Sequence, residues 1–132
     1  MEKHMREVDL KRRTKQFALR AMKLAASLDR SITGRTLANQ LVRSGTSVGA
    51  NYRSACRARS KAEFISKLGV VEEEADESAY WMELIIEAGL MPENRVKMLL
   101  NEADQLVAIV VASRRSVRRS ASFENRKSKI EN

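Results

Sequence analysis

Apolar residues recur along most of the chain at alternating steps of three and four positions, which is the period of one face of an α-helix. In the first segment with this pattern, Leu10, Phe17, Ala21, Leu24 and Leu28 share a face. The pattern returns in three further segments, and short polar stretches separate them. It therefore predicts an all-α protein, folded as an antiparallel up-down four-helix bundle.

Two glycines lie inside the second predicted helix, which covers about residues 35–59. Each costs about 1 kcal/mol relative to alanine in a helix interior. Gly45, Ser47 and Gly49 belong to a run of small residues that would let a second helix approach closely, and a kink at the glycines is the alternative. Asn51 continues this seam. We expect it to be buried and to fix the helix register or cap a backbone group, with ligand binding as the alternative.

Signals for helix ends divide the chain further. Asp9 is a candidate N-cap for the first helix, and Ser60 with Glu63 forms a capping box that opens the third. Gly89 is placed to end that helix, and Pro92 suits the first turn of the fourth. We expect a flexible tail at 1–8, the bundle at 9–113 and a basic, disordered tail at 114–132.

Helices three and four carry apolar residues on more than one face. A monomer would leave some of them partly exposed, and an exposed apolar patch often marks an interface. The predicted oligomer interface consists of Trp81, Leu84, Ile109 and Val111. We therefore expect a homo-oligomer.

The pentapeptide GTSVG at 45–49 fits G-x-S-x-G, the nucleophile elbow of serine hydrolases. Such an elbow needs a strand before it, a helix after it, and acidic and histidine partners further along. The only histidine is His4, which precedes Ser47. We expect no catalytic serine and no enzyme activity, and we assign the glycines to packing.

The acidic residues of the third helix raise the question of a metal or glycosidase site. Di-iron bundles use Glu-x-x-His motifs, which this chain cannot supply, and a glycosidase needs a cleft. The acids are better interpreted as a solvated or ion-paired helix face. We expect no metal and no cofactor.

Composition fits one cytoplasmic domain. The chain has 132 residues, 43% of them hydrophobic and 32% charged, with one cysteine. No apolar run reaches the ~18 residues of a membrane span, and the N-terminus has no signal-peptide pattern. A single cysteine cannot form an internal disulfide, as is usual in a reducing compartment.

The net charge of +8 is unevenly distributed. Residues 31–61 carry six Lys or Arg and no acid, whereas 62–91 carry one Lys and eight acids. Such a basic surface attracts nucleic acid by neutralising phosphates. The predicted phosphate contacts are Lys11, Arg12, Arg13, Arg43, Arg53, Arg57, Arg59 and Lys61. The alternative is that these side chains pair with the acidic third helix of the same or a neighbouring subunit.

The run QLVRSGTSVGAN at 40–51, followed by SKAEF at 60–64, resembles a known family. These are the four-helix bundle proteins encoded in intervening sequences of bacterial 23S ribosomal RNA genes, whose pattern is approximately Q-L-x-R-A-x-x-S-[VI]-x-A-N and then [KR]-x-E-F. This chain departs from the usual N-I-A-E-G continuation, since Asn51 is followed by YRSA.

The resemblance covers about residues 10–112 and implies a bundle that assembles as a ring, commonly a homopentamer. It also implies kinship with the accessory variability protein of diversity-generating retroelements, a basic pentamer that binds nucleic acid and a reverse transcriptase. We therefore expect a non-enzymatic, oligomeric protein that binds RNA or DNA through the phosphate backbone. The alternative is a scaffold that docks an acidic partner, such as a reverse transcriptase or other polymerase, without touching nucleic acid.

Overall fold

A computed structural model describes the chain at residues 2–131, with side chains at 5–130. Four helices account for almost all of it: α1 (Glu2–Ala26), α2 (Ile32–Cys56), α3 (Lys61–Glu87) and α4 (Glu93–Glu131). The described residues contain no strand. The predicted all-α helical bundle is confirmed.

Short connections set the arrangement of the helices. Successive helices pack against each other, and a smaller contact between α1 and α4 closes the bundle. The connection between α2 and α3 is only the four residues 57–60, and we call the end of the bundle that it forms the corner end. α4 has 39 residues against 27 in α3, so its C-terminal part projects past the corner end by ~18 Å at 1.5 Å per residue.

The core follows the predicted apolar stripes. Phe17, Leu41, Leu68, Met82 and Leu106 are fully buried at the centre of the bundle. Each of these side chains projects from the inward face of its helix, and their burial stabilises the packing of the four helices. No helix in the described part of the chain is long and apolar enough to cross a membrane.

The two glycines of α2 face α1. A Cβ atom added to Gly45 would lie 2.7 Å from the Cβ of Ala21, and one added to Gly49 would lie 3.3 Å from the carbonyl oxygen of Thr14. The predicted close approach of a second helix is therefore confirmed for both glycines, and α2 continues as a helix through them.

Asn51 is half-buried, so the prediction that it is buried was wrong. Its Nδ2 atom donates to the carbonyl oxygen of Ser47, one turn earlier in the same helix, at 2.8 Å. The amide thus binds a backbone group, as one predicted role requires, but it does so at the helix edge because its own helix supplies the acceptor.

Both predicted tails are helical where the structure describes them, and only residues 1 and 132 lie outside it. α1 begins at Glu2 rather than after Asp9, because the first turns contain good helix formers and an ion pair between Lys11 and Glu7 at 3.2 Å. α4 continues to Glu131, since no glycine or proline interrupts it after Pro92. The predicted boundaries at 9 and 113 were therefore wrong as helix ends.

The capping residues of α2 and α3 are well defined. Ser31 caps α2, accepting from the N–H of Gly34 at 3.0 Å, so α2 starts three residues earlier than predicted. Ser60 accepts from the N–H of Glu63 at 3.0 Å, as the capping box requires. The Glu63 carboxylate accepts from the N–H of Arg59 at 3.2 Å, one residue before the predicted donor.

The turn between α3 and α4 contains Gly89, which ends α3 as predicted, and Pro92, which lies before α4 rather than in its first turn. Gly89 adopts a φ of 72° just after α3, a left-handed conformation that glycine tolerates. Pro92 immediately precedes α4.

An ion pair closes the bundle between α1 and α4. Arg13 donates to Glu102 from Nη2 at 2.7 Å and from Nε at 3.1 Å, and to Gln105 at 3.2 Å. The two charged side chains are only 22% and 16% exposed. The hydrogen bonding to Glu102 raises the pKa of Arg13, so the guanidinium keeps its charge.

We predict that Gly45→Ala lowers the free energy of unfolding by ~1–3 kcal/mol, because the new methyl group would press on Ala21. Gly69→Ala, inside α3, is the control. Its Cβ would meet nothing nearer than Arg114 Nη1 at 3.5 Å, so helix propensity should raise stability by up to ~1 kcal/mol. Urea unfolding of both variants at one protein concentration measures this, and a Gly45→Ala protein as stable as wild type would contradict the close approach.

We also predict that Arg13→Ala costs ~1–3 kcal/mol of unfolding free energy, because it leaves the shielded Glu102 carboxylate without its charged donor. Arg12→Ala removes only exposed contacts, the pair with Asp9 and a hydrogen bond to Gln16, and should change stability by less than ~0.5 kcal/mol. Thermal or urea unfolding compares the two. Equal losses would show that the α1–α4 ion pair does not stabilise the bundle.

Candidate nucleic-acid interface

Two adjoining grooves on the outer surface of α2 are lined mainly by basic side chains. The groove between α2 and α3 is formed by Ala50, Arg53, Ser54, Arg57, Arg59, Glu63 and Lys67. The groove between α1 and α2 is formed by Lys11, Arg12, Lys15, Gln16, Leu19, Arg53 and Arg57. Arg53 and Arg57 line both, so the two form one continuous surface that we call the basic groove.

Helix geometry places the side chains of the basic groove. Arg53 and Arg57 are four residues apart at the C-terminal end of α2, where cations interact favourably with the helix dipole. Lys11 and Lys15 belong to α1, on either side of Thr14, the residue that lies against Gly49. The close contact between α1 and α2 therefore brings basic residues of two helices side by side.

Three of the predicted phosphate contacts remain without an acidic partner for their side chains among the described residues: Arg53, Arg57 and Arg59. All three are exposed. Glu63 is the one carboxylate in the lining, and it is engaged with the backbone N–H of Arg59. The centre of the basic groove thus carries positive charge that the fold does not neutralise.

Lys11 and Arg12 line the groove while also pairing with acids on their own helix. Lys11 lies 3.2 Å from Glu7 and Arg12 lies 2.7 Å from Asp9. Exposed pairs of this kind contribute little stability, so a stronger anion could displace either carboxylate at small cost.

The other three predicted contacts form ion pairs away from the groove lining. Arg13 is held by Glu102, and Arg43 pairs with Glu77 and, at 3.3 Å, with Glu74 of α3. Lys61 lies 2.5 Å from Glu124 of α4. Arg43 therefore fits the alternative interpretation, in which basic side chains pair with the acidic third helix.

Sequence reasoning did not assign two basic side chains that the structure adds to the groove. Lys15 lies one turn after Lys11, a spacing that could have indicated a shared face. Lys67 donates to Ser54 Oγ at 2.6 Å across the α2–α3 contact. No sequence pattern links Lys67 to Ser54, because that contact depends on how the helices pack.

The predicted oligomer-interface residues lie on a different part of the surface. Trp81, Leu84 and Ile109 are half-buried and pack against the core, and Val111 is also half-buried. The neighbouring Tyr80 is 51% exposed, and its ring meets that of Trp81 edge-on with centroids 5.2 Å apart. The outer side of α3 therefore presents an aromatic pair at the surface.

The GTSVG sequence lies in the middle of a helix. Ser47 is an interior residue of α2, with helix on both sides rather than a strand before it, so the backbone lacks the sharp turn of a nucleophile elbow. In the described part of the chain, no three histidine, cysteine or acidic side chains lie close enough together to hold a metal ion.

Comparison with known proteins shows which family this bundle resembles. The family model of the 23S rRNA-intervening sequence protein matches residues 6–112. A crystal structure from Bacteroides thetaiotaomicron, described as a protein of unknown function from the S23 ribosomal protein family, is similar with a TM-score of 0.77 and 30% sequence identity. The similarity covers 83% of this chain and 97% of that one. No curated protein matches significantly. With its four helices and a match over most of its length, the chain belongs to the 23S rRNA-intervening sequence protein family.

Proposed function

We propose that this protein binds nucleic acid through the phosphate backbone at the basic groove, as a homo-oligomer and without catalysing a reaction. The observation that supports this proposal is the group of three exposed arginines, Arg53, Arg57 and Arg59, whose charge no described acid neutralises. Repulsion among like charges in such a cluster slightly destabilises the free protein. Binding of an anionic ligand removes this repulsion.

Polyanion binding explains the arrangement better than binding of a small anion. The cations spread over α1, α2 and the start of α3 rather than converging on one point. A nucleic-acid strand offers a row of phosphates to such a surface and releases a counterion for each one that is neutralised. Affinity should therefore depend steeply on salt concentration.

The lining also favours weak sequence specificity. Among the described lining residues there is no aromatic side chain on which a base could stack, and Gln16 is the one side-chain amide. Arginine and lysine that reach only phosphates position a ligand without reading bases. RNA is the first ligand to test, because the family is described by its link to a ribosomal RNA sequence.

We predict that Arg57→Glu with Arg59→Glu weakens RNA binding by at least ~10-fold at ~0.1 M salt. The slope of log K against log salt should become shallower by ~1.4 for a single strand or ~1.8 for a duplex, as expected for two lost phosphate contacts. Fluorescence anisotropy with a labelled RNA measures both quantities.

The matched control is Arg35→Glu with Arg95→Glu. These exposed arginines lie in the first turns of α2 and α4, at the opposite end of the bundle, and the net charge changes equally. This variant should keep most of its affinity. If both variants lost affinity equally, the attraction would be a property of the total charge, and the groove would not be the binding site.

The homo-oligomer, for which the family resemblance suggests a pentamer, is part of the same proposal. It is supported by the aromatic pair Tyr80 and Trp81 beside Leu84 and the exposed Val70 on the outer side of α3. Burying this surface against another copy would remove apolar area from water.

We predict that light scattering gives a discrete multiple of the 14.9 kDa chain mass and that Tyr80→Arg lowers it while the helical circular dichroism persists. Met98→Arg is the control, because Met98 is a more exposed apolar residue of α4 outside the aromatic pair. A monomeric wild type, or dissociation by Met98→Arg alone, would contradict this interface.

A further inference from the structure

The C-terminal part of α4 extends beyond the matched family domain. The family match ends at residue 112, whereas α4 continues as a helix to Glu131. We call residues 114–130 the α4 arm. The arm starts beside α3 and projects past the corner end, where the basic groove also lies.

The composition of the α4 arm is that of a polyanion-binding helix rather than a packing element. It carries seven Lys or Arg against the single acid Glu124. Phe123 is 65% and Ile130 is 85% exposed, whereas Val117, near the start of the arm, is half-buried. Burial of large apolar side chains therefore does not account for the part of the arm after Val117.

Four of the basic side chains fall on one face of the arm. Arg115, Arg119, Arg126 and Lys129 follow each other at steps of four, seven and three residues, which returns to the same side of an α-helix each time. All four are exposed, and none has an acidic partner among the described residues. From Arg115 to Lys129 the face spans ~21 Å, the length of about six phosphates along a duplex strand.

The opposite side of the arm is held against the bundle. Arg114 Nη2 lies 2.5 Å from Glu72 Oε1 of α3. Lys61 Nζ, at the start of α3, lies 2.5 Å from Glu124 Oε1 and 3.2 Å from Ser120 Oγ. These contacts fix the arm beside the α2–α3 connection that carries Arg57 and Arg59, and they leave its basic face outward.

We propose that the outward face of the α4 arm, formed by Arg115, Arg119, Arg126 and Lys129, is a second phosphate-binding surface for the nucleic acid that occupies the basic groove. This inference rests on the proposed function in taking nucleic acid as the ligand. The arm extends the contact beyond the family domain, so that this protein binds a longer stretch of backbone than the bundle alone would reach.

The test uses the full-length protein with Arg119→Gln and Arg126→Gln, two exposed residues that take no part in the described contacts with α3. The probe is a labelled RNA hairpin with a stem of about 16 base pairs, a length that duplex-binding domains can span. Affinity should fall at least ~10-fold at ~0.1 M salt, and the salt slope should become shallower by ~1.8. Circular dichroism checks that α4 stays helical.

Two further variants control for charge and shape. Arg30→Gln with Arg95→Gln removes the same charge at the opposite end of the bundle and should bind nearly as wild type. Arg119→Lys with Arg126→Lys keeps the charge and should retain most of the affinity, as phosphate contact requires.

The outcomes separate this inference from the proposed function. Unchanged affinity and slope in the glutamine variant, with binding lost in the Arg57→Glu and Arg59→Glu variant, would overturn the role of the arm and leave the basic groove intact. Equal losses in the glutamine variant and its Arg30 and Arg95 control would also overturn it. A wild-type protein that binds neither the hairpin nor a single-stranded RNA would remove both proposals.

Discussion

The close contact between α1 and α2 is the constraint on which much of the surface depends. Without a side chain at Gly45, α2 approaches Ala21 more closely than alanine would allow, and at Gly49 it lies close to the backbone of Thr14. This contact orders the core and also places Lys11 and Lys15 beside Arg53 and Arg57. A packing feature thus positions the positive charges of two helices to form the basic groove.

The positions of the acidic residues then determine which basic side chains have no acidic partner. The acidic run of α3 neutralises Arg43 through Glu74 and Glu77, and Glu102 of α4 neutralises Arg13. No acid lies between Asp29 and Glu63, so the end of α2 has no comparable partner. Because the uncompensated arginines Arg53, Arg57 and Arg59 cluster at the corner end, we expect a polyanionic ligand to approach the bundle there.

Local patterns predicted the elements that depend on neighbours in sequence. The four helices, the glycine seam and the Ser60 cap all follow from spacing and propensity. The sequence could not distinguish Arg13 from Arg12, because the partner of Arg13 lies 89 positions away and is chosen by packing. The helical 114–131 segment was also missed. Its weak apolar periodicity suggested disorder, whereas contacts with Glu72 and Lys61 hold it beside α3.

The central claim is that the native oligomer carries a surface for nucleic-acid phosphates. Light scattering coupled to size exclusion, on nuclease-treated wild-type protein with and without a short RNA, tests it most directly at low and moderate salt. We expect a discrete oligomer that gains the mass of bound RNA at low salt and loses it as salt rises. An oligomer whose mass is unchanged by RNA at every salt concentration would contradict the claim, and an acidic protein would then be the ligand to seek for the basic groove.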